Sequence, residues 1–277
     1  MRVSTVALLF ALSAGALGAG CEGQDDPPAS SPQTATAVLD LSAGTSAENF
    51  YDLPFPSDLR LEDGRPVLTG FPNAEANPLV AGLMEIGADR NGWSTIQAAH
   101  FRFDGPLAEL APSDVLPADP SAPVWLIDVD PDSPARGTLF PTTAATIPTD
   151  AYTPDHLLGL AAAPGIVLVA GRRYAYVVTS GVLTADGLPT EPAPALEQLR
   201  TGGAEADAVE LYAPLWETLE QTGLDANRVV NATVFRVGDV VADTAALTDR
   251  VREAVDVTID DLGVDPDDGA DHERFCE

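Results

Sequence analysis

Lysine is absent from this chain of 277 residues, so arginine alone supplies the 14 basic side chains that face 43 acidic ones. The net charge of −29 excludes a nucleic-acid-binding stripe, because such a stripe must neutralise phosphates with clustered cations. The only adjacent basic pair is Arg172 and Arg173. Attachment to anionic lipid through a polybasic patch is excluded for the same reason.

Cysteine and long apolar runs are also scarce. Cys21 and Cys276 lie at opposite ends of the chain, which is not the spacing of a disulfide framework. No apolar run reaches the roughly 20 residues that a membrane-spanning helix needs. The hydrophobic fraction of 45% nevertheless suffices for a packed core, in one large or two small domains.

Residues 1–21 have the pattern of an export signal: Arg2 is followed by the apolar residues 6–12 and then by small residues up to Cys21. The pattern resembles a bacterial lipoprotein signal peptide, which is cut before the cysteine, and that cysteine is diacylated. It departs from the family at Gly18, where leucine is usual. Cleavage after residues 14–16 is the alternative. We predict lipidation at Cys21, since an unpaired cysteine there is otherwise unexplained.

Segments rich in polar and acidic residues flank the body of the chain. Residues 22–36 (EGQDDPPASSPQTAT) predict a flexible tether, because they cannot bury enough apolar surface to offset their ordering entropy. Residues 256–277 predict an acidic linker, and we expect a further segment to have followed it. The folded domain is expected at residues 37–255.

Short stretches rich in β-branched and aromatic residues predict the strands of this domain. The predicted strands are residues 37–41, 100–103, 123–129, 166–170, 174–179 and 229–237. A glycine and two arginines separate residues 166–170 from 174–179, which predicts a hairpin.

Helical spacing of apolar residues appears at residues 77–86, 205–222 and 243–255. In the second helix, Gly223 is the expected stop and Pro214 is expected to kink or split it. Asp243 or Thr244 is the expected N-cap of the third. Strands come mostly first and helices mostly later, which predicts an α+β protein: an Ig-like β-sandwich with packed C-terminal helices.

Catalytic motifs are missing from the sequence. There is no G-x-S-x-G elbow to present a serine nucleophile, no Cys/His spacing for zinc and no phosphate-binding glycine loop. The three histidines are His100, His156 and His272, and His100 is expected to be a half-buried strand residue. We therefore predict that this chain carries no catalytic residue of its own and needs no cofactor.

The acidic tail offers one candidate metal site. Asp265, Asp267 and Asp271 place oxygen ligands near Gly269, which is the chemistry of a calcium loop. The glycine is one position too early for an EF-hand, and no glutamate closes the ring. A solvated acidic linker is the favoured interpretation.

Tryptophan can form a carbohydrate platform, and the chain has three. Trp125 lies in an apolar strand and Trp216 on a helical stripe, so both are expected in the core. Trp93 follows Gly92 in a predicted loop, and its role is left open.

Residues 51–73 read YDLPFPSDLRLEDGRPVLTGFPN, a PFPSDL core followed by an Asp-Gly turn. This segment, with residues 92–106, 123–129, 171–187 and 212–236, resembles the N-terminal domain of bacterial surface-exposed lipases of the virulence-factor lipase type. The resemblance covers residues 49–255. In that family the domain precedes an α/β-hydrolase domain that carries the serine nucleophile.

The resemblance implies an exported lipoprotein of the cell envelope, anchored in the outer membrane or at the cell surface, or a secreted protein. It implies the non-catalytic half of an enzyme acting on lipid esters, with a C-terminal hydrolase domain as partner. None of the matching positions is catalytic in the family. A free-standing surface-adhesion or ligand-binding module is the alternative, and an esterase with an unrecognised site is a third hypothesis.

Overall fold

The computed structural model describes residues 33–43 and 46–255, which contain ten strands and four α-helices. The strands are β1 (Leu61–Glu62), β2 (Arg65–Pro66), β3 (Ala99–Arg102), β4 (Val115–Leu116), β5 (Val124–Asp128), β6 (Leu139–Phe140), β7 (Thr142–Ile147), β8 (Leu157–Ala162), β9 (Arg173–Thr179) and β10 (Val229–Arg236). The helices are α1 (Pro78–Ala88), α2 (Pro194–Thr201), α3 (Ala206–Thr222) and α4 (Val240–Ala254).

Two four-stranded antiparallel sheets form the framework of the described residues. One has the order β10-β9-β5-β6 and the other β3-β8-β7-β4, while β1 and β2 form a small hairpin. Side chains of both sheets share one core, for example Leu126 and Tyr176 from the first and Phe101 and Leu158 from the second. The predicted α+β class, a β-sandwich with helices, is confirmed.

Four of the six predicted strands are present, as β3, β5, β9 and β10. Residues 37–41 form no strand, and only isolated bridges join Thr36 to Glu191 and Ala37 to Phe103. The sequence did not predict β7 and β8, whose alanine-, leucine- and threonine-rich segments lack a strong β signal. A Cβ on Gly159 in β8 would lie 2.8 Å from Ile147 Cδ1, so the end of the Ile147 side chain would have to shift to admit another residue.

The predicted strand at residues 166–170 and its hairpin are wrong. Leu168 is buried while Val167 and Val169 are exposed, so the segment alternates as a strand does. It makes no ladder, because it belongs to the connection between β8 and β9, which lie in different sheets. Its backbone instead donates from Leu168 N to the Thr95 carbonyl at 2.8 Å.

The three predicted helices exist. Asn77 caps α1, and Gly223, in the left-handed conformation, ends α3. Pro214 does not split α3, which is one continuous helix of 17 residues. Packing compensates for the hydrogen bond that proline removes: Leu215 and Tyr212 are fully buried, and the Tyr212 hydroxyl donates to the Ala232 carbonyl at 3.0 Å.

The N-cap predicted for the third helix is also wrong. The cap of α4 is Asp239, whose carboxylate accepts from Ala242 N at 3.0 Å. Asp243 instead accepts from Asn91 Nδ2 at 2.8 Å. The helix begins early because Gly238 turns the chain directly out of β10, at a position where a Cβ would lie 1.8 Å from the Asn91 carbonyl oxygen.

The prediction of packed C-terminal helices holds for α2 and α3 and fails for α4. Leu196 and Leu199 of α2 are buried, whereas α4 has no buried residue. No helix among the described residues is long and apolar enough to cross a membrane.

Hydrogen bonds connect the PFPSDL segment, residues 54–59, to β10. Ser57 caps the 3₁₀ turn Asp58–Arg60, and the Thr233 hydroxyl donates to the Pro56 carbonyl. Asp58 Oδ1 accepts from Arg236 N at 2.8 Å. These residues therefore have structural roles in this chain.

Candidate functional site

Several residues singled out in the sequence lie outside the described part of the chain. They are Cys21, Asp265, Asp267, Asp271 and His272. Lipidation at Cys21 and calcium binding in the acidic tail stay predictions. Within residues 33–43 and 46–255, no group of three or more His, Cys, Asp or Glu side chains is placed to hold a metal ion.

His100 is the half-buried strand residue that the sequence predicts. It lies in β3, and its ring centroid is 5.8 Å from that of Tyr51 and 6.3 Å from that of Phe55. Burial lowers the pKa of the imidazole from 6.5 to about 4. Its Nδ1 has no hydrogen-bond partner in the part of the chain that the structure describes. At neutral pH this ring is uncharged and packed against aromatic residues.

Trp93 is a core residue and cannot form a carbohydrate platform. Its ring packs edge-to-face on Phe55, with centroids 5.1 Å apart. Its Nε1 donates to Asp58 Oδ1 at 3.1 Å. Trp125 is buried as predicted, whereas Trp216 is only half-buried.

A cavity of about 400 Å³ opens at one end of the strands of the first sheet. It lies where β5 ends, β9 begins and β10 ends. We call it the arginine cavity because its walls include Arg172, Arg173 and Arg236. The loop of residues 130–133 and the backbone of residues 170–171 complete the wall.

The carboxylates around the arginine cavity mostly bond to their own loop. Asp128 is fully buried; it accepts from Asp130 N at 3.1 Å and from the Ser133 hydroxyl at 2.7 Å, and it lies 3.5 Å from Arg172. Asp130 accepts from Asp132 N at 2.9 Å and from Arg173 N at 3.0 Å. These bonds fix the loop and the start of β9. Asp128 and Asp130 therefore act as structural acceptors.

Arg173 and Arg236 are the cations of this cavity without an ion pair. They are directly paired in the β9–β10 register, so their Cβ atoms lie about 5 Å apart. Neither guanidinium takes part in an ion pair among the described residues. Arg173 Nε is buried and, within the same residues, lacks a hydrogen-bond acceptor.

The charges of Arg173 and Arg236 also affect the pKa of Asp58. Burial raises the pKa of that carboxyl, and the hydrogen bonds from Arg236 N and Trp93 and the charges of both arginines oppose the shift. Asp58 bonds to the backbone of Arg236 rather than to either guanidinium. The guanidinium groups thus keep their hydrogen-bonding capacity.

Exposed large apolar side chains are concentrated on four segments. We call these side chains the apolar surface. It contains every exposed large apolar residue of the described chain except Val115 and Leu183. Its members are Leu79, Leu83 and Ile86 of α1, Ile96, Val167 and Val169, and Val240, Val241, Leu247, Val251 and Val255 in and after α4.

Hydrogen bonds tie these four segments together. Asn91, just after α1, bonds to Asp243 of α4, and Thr95 accepts from Leu168 N. Trp93 N donates to the Arg236 carbonyl at 3.0 Å, immediately before α4. The apolar side chains therefore lie on neighbouring parts of the fold.

The apolar surface carries little charge for so acidic a protein. Helix α1 has Glu85 as its single charged residue, and residues 92–99 and 163–171 have none. In α4, two arginines offset three acidic residues. Low charge together with exposed apolar side chains is characteristic of a protein–protein contact surface.

Sequence reasoning found neither feature. The sequence shows the adjacent pair Arg172 and Arg173. It does not show that Arg236, which is distant in sequence, lies beside Arg173, because that depends on the pairing of β9 with β10. The apolar spacing of α1 and α4 was visible too, but it predicted only that both segments are helical and that the C-terminal helix is packed. The exposure of a helical stripe cannot be read from its periodicity.

A comparison of the chain with protein-family models, curated proteins and solved structures found no match.

Proposed function

We propose that this chain is the exported, lipid-anchored, non-catalytic module of a lipase-type lipoprotein that acts on lipid esters. Its role is to anchor an α/β-hydrolase domain at the cell envelope and to pack against that domain. The proposal combines the lipoprotein-type signal ending at Cys21 with the resemblance of residues 49–255 to the lipase N-terminal domain.

The apolar surface is the observation that supports this role most directly. Leu79 is 70% exposed, Val241 72% and Leu247 54%, and none of them belongs to the hydrophobic core. Their exposure to water costs roughly 25 cal/mol per Å² of apolar area relative to a covered state. A neighbouring domain that covers α1 and α4 removes that cost.

A free-standing ligand-binding module is the second candidate. The arginine cavity favours it, because a concave site with unpaired cations can bind a ligand without a second domain. The two candidates differ in whether α4 contacts a hydrolase.

The first test is to translate the DNA beyond the codon for Glu277 in all frames. We expect a G-x-S-x-G segment with downstream Asp and His. That hydrolase, produced separately, should bind the present chain in a pull-down assay. Leu247→Glu should abolish the interaction, since it places a charge in the apolar surface.

Val115→Glu is the matched control. Val115 is also exposed, at 56%, but it lies on β4, outside the apolar surface. We expect it to leave binding unchanged. Absence of a hydrolase reading frame, or equal effects of the two substitutions, would overturn the proposal.

A further inference from the structure

We propose that the arginine cavity binds a phosphate group, carried either by a lipid headgroup or by a small free phosphate ester. The inference is independent of the hydrolase proposal and concerns Arg172, Arg173 and Arg236, which line this cavity together.

The arrangement of the three arginines suits an oxyanion with several acceptor oxygens. Arg173 and Arg236 are paired in the β9–β10 register, so their side chains leave the same face of the sheet, and the Arg172 guanidinium lies 3.5 Å from the buried Asp128. Each guanidinium presents several donors in a planar fork that matches phosphate geometry. Phosphate offers enough oxygens for more than one arginine.

Six of the arginines in the described residues form ion pairs, while others, such as Arg90 and Arg250, form none there. Arg65, Arg102, Arg136 and Arg200 are among the paired ones. Within the same residues Arg173 and Arg236 are not, although Asp130 and Asp132 line the same cavity.

Asp128 and Asp130 direct their oxygens to other donors, whereas Asp58, Asp207 and Glu210 line a second cavity beside Arg173 without an ion pair to it in the described residues. Asp130 accepts from two backbone N–H groups of the cavity wall, and Asp128 bonds to Ser133 and Arg172. Arg173 Nε is buried and finds no acceptor among the described residues, so Arg173 is not neutralised by a side-chain acceptor at that atom.

Asp132 refines the ligand class. No side-chain bond to its carboxylate is found in the part of the chain that the structure describes, and it lines the cavity beside the arginines. Its charge weakens the binding of a simple anion and favours a phosphate ester that also carries an ammonium group. The volume of about 400 Å³ accommodates more than inorganic phosphate.

The test measures phosphate binding by the full chain in two arms. In the first, glycerol 3-phosphate and phosphoethanolamine are titrated by calorimetry at low ionic strength. In the second, flotation measures binding to vesicles of phosphatidylcholine and phosphatidylethanolamine, using protein with Cys21→Ala so that no acyl anchor contributes. Binding in the first arm alone assigns a free phosphate ester, and binding in the second assigns a lipid headgroup.

We expect Arg236→Gln to weaken binding by about tenfold, as loss of a charge-assisted hydrogen bond does. Arg236 is exposed, so the variant should fold. Asp132→Asn should tighten glycerol 3-phosphate binding by about two- to threefold through reduced repulsion.

Arg250→Gln is the control, since it removes the same charge from an exposed position on α4. It should change affinity by less than about twofold, because Arg250 does not line the arginine cavity. No saturable binding in either arm, or equal losses in Arg236→Gln and Arg250→Gln, would contradict the proposal.

Discussion

Burial determines the chemistry of His100. Its ring packs against Tyr51 and Phe55, and the Nδ1 atom is buried. Charging an imidazole in this environment costs desolvation energy, which is why its pKa falls to about 4. An unfolded chain would have the ordinary pKa near 6.5. His100 therefore links the stability of the fold to pH.

The sign of this linkage is fixed by the depressed pKa. The unfolded state binds the proton first, so His100 costs stability as the pH falls from about 6.5 towards about 4. Between pH 7 and pH 5, we expect a loss of about 1 to 2 kcal/mol from this residue. Urea unfolding of the wild type and of His100→Asn at both pH values measures it.

The titration of carboxylates is common to both proteins and cancels in the comparison. His100→Asn should show the smaller loss of unfolding free energy on acidification. If the two proteins lose the same free energy, His100 is not buried as described.

The helices α3 and α4 differ in the packing contacts that stabilise them. Helix α3 buries seven residues, and Arg136 bonds to Thr218 at 2.8 Å and to Glu217 at 3.1 Å from outside the helix. Helix α4 buries none. Helical stability in proteins comes mainly from packing of an apolar face, so these two elements should respond differently to the same substitution.

Leucine-to-alanine substitutions measure the contrast. Leu215 of α3 is 0% exposed and Leu247 of α4 is 54% exposed. Leu215→Ala should cost about 2 to 5 kcal/mol because it leaves a cavity. Leu247→Ala should cost less than about 0.5 kcal/mol. Equal losses in denaturant unfolding would show that α4 packs on the body.

Charge distribution is the dominant property of the whole molecule. A net charge of −29 keeps the protein soluble while like charges repel one another within the compact state. Two parts of the surface depart from this negative charge: the apolar surface, where charged residues are sparse, and the arginine cavity. The protein thus has two places at which an uncharged or negatively charged partner can approach.

Screening should therefore stabilise the folded protein. Raising NaCl from about 50 to 300 mM should increase the melting temperature by about 2 to 5 °C, since repulsion weakens as the Debye length shortens. Differential scanning calorimetry at pH 7 measures the change, with an equal osmolality of glycerol as control. A melting temperature that falls with salt would mean that attractive ion pairs dominate.

The sequence by itself determined the fold class and the strongest elements. Short runs of β-branched and aromatic residues identified β3, β5, β9 and β10. Burial alternates along β3, whereas β5, β9 and β10 are buried along nearly their whole length. Helical spacing identified α1, α3 and α4. The acidic composition argues against a nucleic-acid partner, which stays a prediction, and the sequence contains no G-x-S-x-G segment.

Tertiary structure decided which patterns became core and which stayed exposed. The alternating residues 166–170 make no ladder because they cross between sheets, and no element among the described residues buries the apolar side chains of α4. Register alone brought Arg236 beside Arg173. The exposure of these segments and the pairing of the two arginines depend on contacts between residues far apart in sequence. A local sequence pattern indicates only which secondary structure a segment can form, because it carries no information on those contacts.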